Sequence, residues 1–205
     1  MKKTLLSLAL AIAVAATASA SQRTMHEEGE RFNFNYPAFS QYTDKASYLM
    51  NKDINALVES SRKELKNPDV ASVRTDYEIY FENPKFVSFT FGNGIYMTGA
   101  AHGMSYTHGF VYDKESGKKV PYTHFTDKLN DKEFKDGILN GKYTAYCSDL
   151  ETVSKTPFLA DYKNFKVSKD YIMTRDGKAI YFIYQPYELD AYAAGPIFVK
   201  VNIPG

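Results

Sequence analysis

Short runs of alternating aromatic or aliphatic and polar residues, set between turn-forming clusters, recur along this chain and confine it to strands joined to their sequence neighbours. The clearest hairpin pairs residues 171–174 with 179–184 around Arg175-Asp176-Gly177. Residues 77–81 and 85–91 meet at Glu82-Asn83-Pro84 in the same manner. Phe32, Phe34 and Tyr36 alternate as a strand until Pro37 ends the run, and Gly92-Asn93-Gly94 reads as a turn. Residues 95–97 and 105–112 read as strands flanking a glycine-rich loop over 98–103. Residues 113–117 connect them to a strand at 119–122, and 197–203 is a closing strand.

Two stretches depart from that pattern. Between Asp44 and Lys66, Met50, Ile54, Leu57, Val58 and Leu65 recur at helical spacing, with Thr43 or Asp44 as N-cap and Asn67-Pro68-Asp69 as the stop. A second helix is expected from Asp131 to Tyr146, with Phe134, Ile138 and Leu139 on one face, although Gly137 and Gly141 weaken it. The expected class is therefore α+β, a largely antiparallel sheet with two main helices. Seventeen Tyr and fourteen Phe without a Trp suit half-buried pleated surfaces.

The first twenty residues read as an export signal. Lys2 and Lys3 open it, an apolar run from Leu5 to Ala16 follows, and Ala18-Ser19-Ala20 is a small-residue cleavage site. The run falls short of the roughly twenty residues a membrane span needs, and Ser21 stands where a lipoprotein would carry cysteine. The expectation is a signal peptide over 1–20 cleaved after Ala20, and a product free in the periplasm or secreted, with no membrane span in the mature chain. Removing 20 residues from 205 leaves 185, enough for one domain or two small lobes. We expect a lead-in over 21–35, its first part loose and polar, then a small N-terminal lobe over 36–90 and a larger C-terminal lobe over 91–205. The leader takes two lysines from 25 basic residues and nothing from 24 acidic ones, so the mature chain has a formal net charge of −1. That balance argues against a nucleic-acid partner. Cys147 stands alone and cannot make an internal disulfide. It is read as a small apolar residue on a helix face rather than a nucleophile or an intermolecular bridge, since no histidine motif surrounds it.

Composition does not explain two segments. In Tyr96-Met97-Thr98-Gly99-Ala100-Ala101-His102-Gly103, small residues allow close backbone approach. His102 is then a loop-pinning hydrogen-bond partner, a general base or a metal ligand, the first preferred. Its spacing to His108 matches no standard ligand pattern, so no metal or cofactor is expected. The second segment, 185–196, joins the last two strands and holds Pro186, Tyr187, Glu188, Asp190 and Tyr192. Rigid tyrosines make good binding anchors. Alternatively, Tyr187 and Tyr192 plug the end of the sheet while Glu188 caps a turn.

Together these segments resemble a bacterial extracytoplasmic domain of unknown function, found in the ectodomain of the lysozyme-sensing anti-sigma factor RsiV and in the N-terminal region of the deacetylase PdaC. The matches are Tyr96, Thr98, Gly99, Ala101, His102 and Gly103; Asp113, Gly117 and Lys118; and Pro186, Tyr187, Glu188, Tyr192, Ala193 and Gly195. Tyr36-Pro37 and Ile54-Asn55 look like the small lobe that accompanies the domain. Ala100 departs from a glycine in the pattern, and Asp190-Ala191 from Ala-Pro, which makes the last loop more acidic. The resemblance implies a recognition module, since neither a sigma-binding segment nor a metal-binding deacetylase domain is present. Its expected partner is a lysozyme-like protein or a peptidoglycan fragment, met by Thr98, Gly99, His102, Gly103, Pro186, Tyr187, Glu188, Asp190 and Tyr192. The competing expectations are a cell-wall hydrolase with His102 as base and Glu188 as acid, and a structural envelope protein in which both loops are internal braces.

Overall fold

The computed structural model describes residues 22–40 and 43–204, so the export signal lies outside the described residues. The chain forms an α+β arrangement of two sheets and two main helices. The first sheet has the order β1 (Gln22–Gly29), β2 (Phe32–Phe39), β3 (Val70–Glu82), β4 (Phe86–Met97) and β5 (Met104–Asp113). Its neighbours are antiparallel except β2 and β3, which run parallel because helix α1 (Asp44–Glu64) crosses over between them. The Thr43 side chain caps α1 by accepting from the Ala46 amide at 3.2 Å, as expected. Met50, Ile54 and Val58 of that helix are buried against Phe34, Phe39, Phe89, Phe91 and Tyr112 on one face of the sheet.

The other face of this sheet meets the second one. Helix α2 (Asp131–Leu139) is followed by β6 (Thr144–Tyr146), β7 (Tyr171–Met173), β8 (Ala179–Tyr184) and β9 (Ile197–Asn202), ordered β6-β9-β8-β7 and wholly antiparallel. A second core gathers Phe134, Ile138, Leu159, Phe182, Tyr184, Leu189 and Val199, together with Phe86 and Val111 from the first sheet. β7 lies close over β4 and β5. The Met173 amide donates to Ser88 Oγ at 2.8 Å, and a Cβ on Gly109 would sit 2.6 Å from the Tyr171 carbonyl oxygen.

Several local expectations are corrected. The polar stretch expected to be a loose lead-in is strand β1, paired with β2 along its length from Gln22 opposite Phe39 to Gly29 opposite Phe32. Its pairing and side-chain ties do what apolar alternation would otherwise do: Glu27 accepts from Tyr36 Oη and from Arg62 of α1. Pro37 does not end β2. Its missing N–H lies on the side of the strand where the Phe39 amide turns away from β1 to Asn51, so no strand pair is lost. Gly92-Asn93-Gly94 is no turn but the middle of β4, opposite Asp76, Thr75 and Arg74. β4 also runs unbroken through residues 90 and 91, so the first sheet draws on both sides of the lobe division expected there.

The second helix stops at Leu139, seven residues short of Tyr146, because Asn140 caps it and Gly141 turns into the left-handed region at φ 78°. Cys147 therefore follows β6 instead of lying on a helix, and its amide donates to Thr152 O at 2.8 Å. Burial pushes its thiol pKa up, and the charges of Asp190 and Asp149 push the same way. That disfavours the thiolate a nucleophile needs. At residue 119 a single bridge to Tyr112 replaces the expected strand, and residues 122–124 form a 3-10 turn.

Candidate functional site

The two segments set apart in the sequence meet at one end of the molecule. Residues 98–103 form the β4–β5 connection, where Thr98 donates its amide to Asp69 O at 2.8 Å and Tyr96 Oη donates to Ala100 O at 2.7 Å. Gly99 takes φ 76° with nothing within 4 Å of a would-be Cβ, so a glycine serves there for its backbone and leaves the tip open. Residues 185–196 link β8 to β9. Gln185 holds this segment to β5 by two bonds, its Oε1 accepting from the Thr107 amide at 2.8 Å and its Nε2 donating to Thr107 O at 2.9 Å.

Tyr192 joins the loops directly. Its hydroxyl donates to Gly103 O at 2.5 Å, and its ring stacks on His102 with centroids 4.2 Å apart and planes 24° from parallel. His102 Nδ1 lies 2.9 Å from the same Gly103 oxygen. A carbonyl only accepts, so the proton belongs on Nδ1. This is the preferred loop-pinning role. The Tyr187 ring lies 5.7 Å from that of Tyr192 and is 51% exposed, with Tyr96 beside the loop 40% exposed. Tyr187 also stands at φ 73°, a conformation costing an aromatic residue about 1–3 kcal/mol. Its amide bonds to Asp190 O at 3.1 Å and Pro186 and Leu189 are buried on either side, so the surrounding turn holds it there.

The two acids serve the turn. Glu188 Oε2 accepts from the Gln185 amide at 2.6 Å, while Asp190 Oδ2 accepts from Ser154 Oγ at 2.5 Å and Oδ1 from the Ala191 amide at 2.7 Å. His102 and Glu188 are thus each bound within their own segment, and no hydrogen bond or ion pair joins them among the described residues. Among those residues no three His, Cys, Asp or Glu side chains gather to hold a metal ion, and no helix is long and apolar enough to cross a membrane.

Beneath Tyr192 lies a cleft of about 240 Å³ on the sheet face that β7 leaves uncovered, lined by Ser72, Arg74, Gly94, Tyr96, Ser105 and Tyr192 among others. It opens on a broader trough of about 490 Å³ that shares Ser72 and Arg74 and continues past Asp76, Asn33 and Asn35. Ser72, Arg74 and Ser105 carry no sequence signal beyond strand alternation. Gly94 carried one that was misread, for paired glycines inside an aromatic strand suit a floor as well as a turn.

No family model and no curated protein matches this sequence. Solved structures do. A crystal structure of a DUF3298 family protein from Pseudomonas aeruginosa PAO1 has a TM-score of 0.59 at 14% identity, with 90% of each chain covered. The chain has the fold of DUF3298 structures. A member from Bacteroides fragilis NCTC 9343 is similar at TM-score 0.56 and 12% identity, covering 92% of this chain and 91% of its own. At such identities the likeness is one of fold.

Proposed function

We propose that this chain is an exported recognition domain that binds a cell-envelope component or a lysozyme-like protein through the surface where residues 98–103 and 186–195 meet. The observation that carries the reading is the contact of Tyr192 with His102 and Gly103. It joins two segments of unusual composition into one rigid surface and leaves Tyr187 and Tyr96 exposed beside it. Rigid, part-exposed aromatics on a braced loop bury large area at little entropic cost. The loop's internal hydrogen bonds account for Glu188 and Asp190, but not for the exposed Tyr187 held at a positive φ. The RsiV-like and PdaC-like motif matches support the same reading, and so does the export signal, which puts the product where envelope ligands are.

Co-sedimentation with peptidoglycan and co-elution with lysozyme test it. Retention of the wild-type domain by one of them, lowered about tenfold or more by Tyr187→Ala, is the expected result. No retention by either, or an unchanged Tyr187→Ala variant, defeats it. Export is tested by fractionation and N-terminal sequencing, with Ser21 expected as the first residue of the mature product.

A further inference from the structure

We propose that the cleft beneath Tyr192 binds an acidic sugar, its carboxylate taken by Arg74; this rests on the recognition reading above and names the ligand class. Arg74 is the only charged residue among those lining the cleft. It lies opposite Gly94, and a Cβ there would meet its Cγ and Nε at 3.1 Å each, so the missing side chain leaves room for the arginine to lie down on the strand. Neither the Arg74 nor the Asp76 side chain has a hydrogen bond or ion pair among the described residues. Of the other arginines, Arg175 pairs with Glu78 and lies over Tyr80, Arg62 pairs with Glu27, and Arg31 donates to the Asn67 and Val70 carbonyls, while exposed Arg23 on the edge strand β1 lies outside the cleft.

A planar guanidinium suits the two oxygens of a carboxylate. A single cation suits one negative charge better than the double charge of a phosphate monoester. Ser72 and Ser105 bring hydroxyls to the same cleft, and the rings of Tyr96 and Tyr192 offer flat faces to the C–H surface of a pyranose. Asp76 follows two residues along the same strand face, roughly 7 Å on, where its carboxylate lies over Gly92. It accepts hydrogen bonds from ring hydroxyls or an amide on the same ligand. Asn33 and Asn35 extend this row of planar polar groups into the trough. Charge complementarity at one point, hydroxyl partners along the row and aromatic faces at the end together describe a sugar acid.

Calorimetric titration of the mature domain with N-acetylmuramic acid, its uncharged counterpart N-acetylglucosamine, and the peptide acid acetyl-D-alanyl-D-alanine tests this. The acidic sugar is expected to bind at least about tenfold more tightly than the other two, and Arg74→Gln to remove that preference while Arg74→Lys keeps part of it. Equal binding of the neutral sugar, tighter binding of the peptide acid, or an unaltered Arg74→Gln variant overturns it. Peptidoglycan or lysozyme retention by wild type and Arg74→Gln alike, without the preference for the acidic sugar, leaves the recognition reading standing and sinks this one. The sugar preference without retention by either macromolecule does the reverse. Circular dichroism of both variants guards against a folding defect, which an exposed strand position is not expected to cause.

Discussion

One face of the five-stranded sheet is used in two ways. Toward residues 86–90 and 109–113 it is closed by β7, with Ser88 bonded to the Met173 amide and Gly109 set directly beneath the Tyr171 backbone. Toward residues 92–96 and 103–107 it is open, and Gly92 and Gly94 make room for Asp76 and Arg74 instead of for another strand. The same residue type thus admits a neighbouring backbone in one half and exposed charged side chains in the other. Glycine in a strand marks a close approach, and its meaning depends on what approaches.

The largest effect should come from unseating the closed half. Phe182→Ala, fully buried on β8 opposite Tyr171 of β7, is expected to cost about 3–5 kcal/mol in denaturant unfolding. Gly109→Ala drives a methyl into three backbone atoms of Tyr171 and should cost about 1–3 kcal/mol by the same measurement. A loss below about 0.5 kcal/mol would mean the two sheets are looser than described. At the rim of the open half the sign reverses. Tyr187→Gly relieves the positive φ and should raise stability by up to about 1 kcal/mol while lowering ligand retention; lowered stability would show that the ring braces the loop. Gly94→Ala meets only a flexible arginine, so its unfolding free energy should stay within about 0.5 kcal/mol of wild type while the cleft narrows. The smallest effect concerns β1, beside the open trough. Arg62 holds the Glu27 carboxyl below its ordinary range, with Tyr36 helping. The folded pKa lies below the unfolded one, so this stabilisation is present above the ordinary carboxylate range and lost as pH falls through the lowered value. Protection factors of the β1 amides, with the intrinsic pH dependence of exchange divided out, should fall with acid in wild type and change less with pH in Glu27→Gln.

The halves also differ in how far the sequence revealed them. Apolar-rich runs between turn clusters located β5, β7, β8 and β9, the last three buried almost throughout, and the helical spacing from Met50 to Leu65 located α1, which buries one face and exposes the other. β1 was missed since it is an edge strand whose residues are mostly exposed, so no apolar period marks it. Gly92-Asn93-Gly94 was misread because local turn propensity gave way to pairing with strands on both sides. Of the candidate site, both loops were legible from their composition, and the loop-pinning role of His102 with them. That Tyr192 is the residue joining the loops, and that Arg74 of β3 lies in the cleft beside it, depends on partners 89 and 20 or more positions away. Spacing along a chain does not encode such meetings.

The bond pair between Gln185 and Thr107 has a consequence for the sheet as a whole. Thr107 lies on the outer edge of β5, and the glutamine amide offers it one donor and one acceptor, as another strand would. Farther along that edge the Gly109 amide donates to Asp170, Val111 O accepts from the Val120 amide, and the Asp113 amide donates to Lys118 O. The margin of β5 is thereby sealed against adding a strand from another molecule. The opposite margin, β1, has β2 as its only strand neighbour among the described residues and carries Arg23, His26, Glu27 and Glu28 in place of such a seal. Self-association by edge pairing, the usual hazard of an open sheet, is blocked by hydrogen bonds on one margin and discouraged by charge on the other.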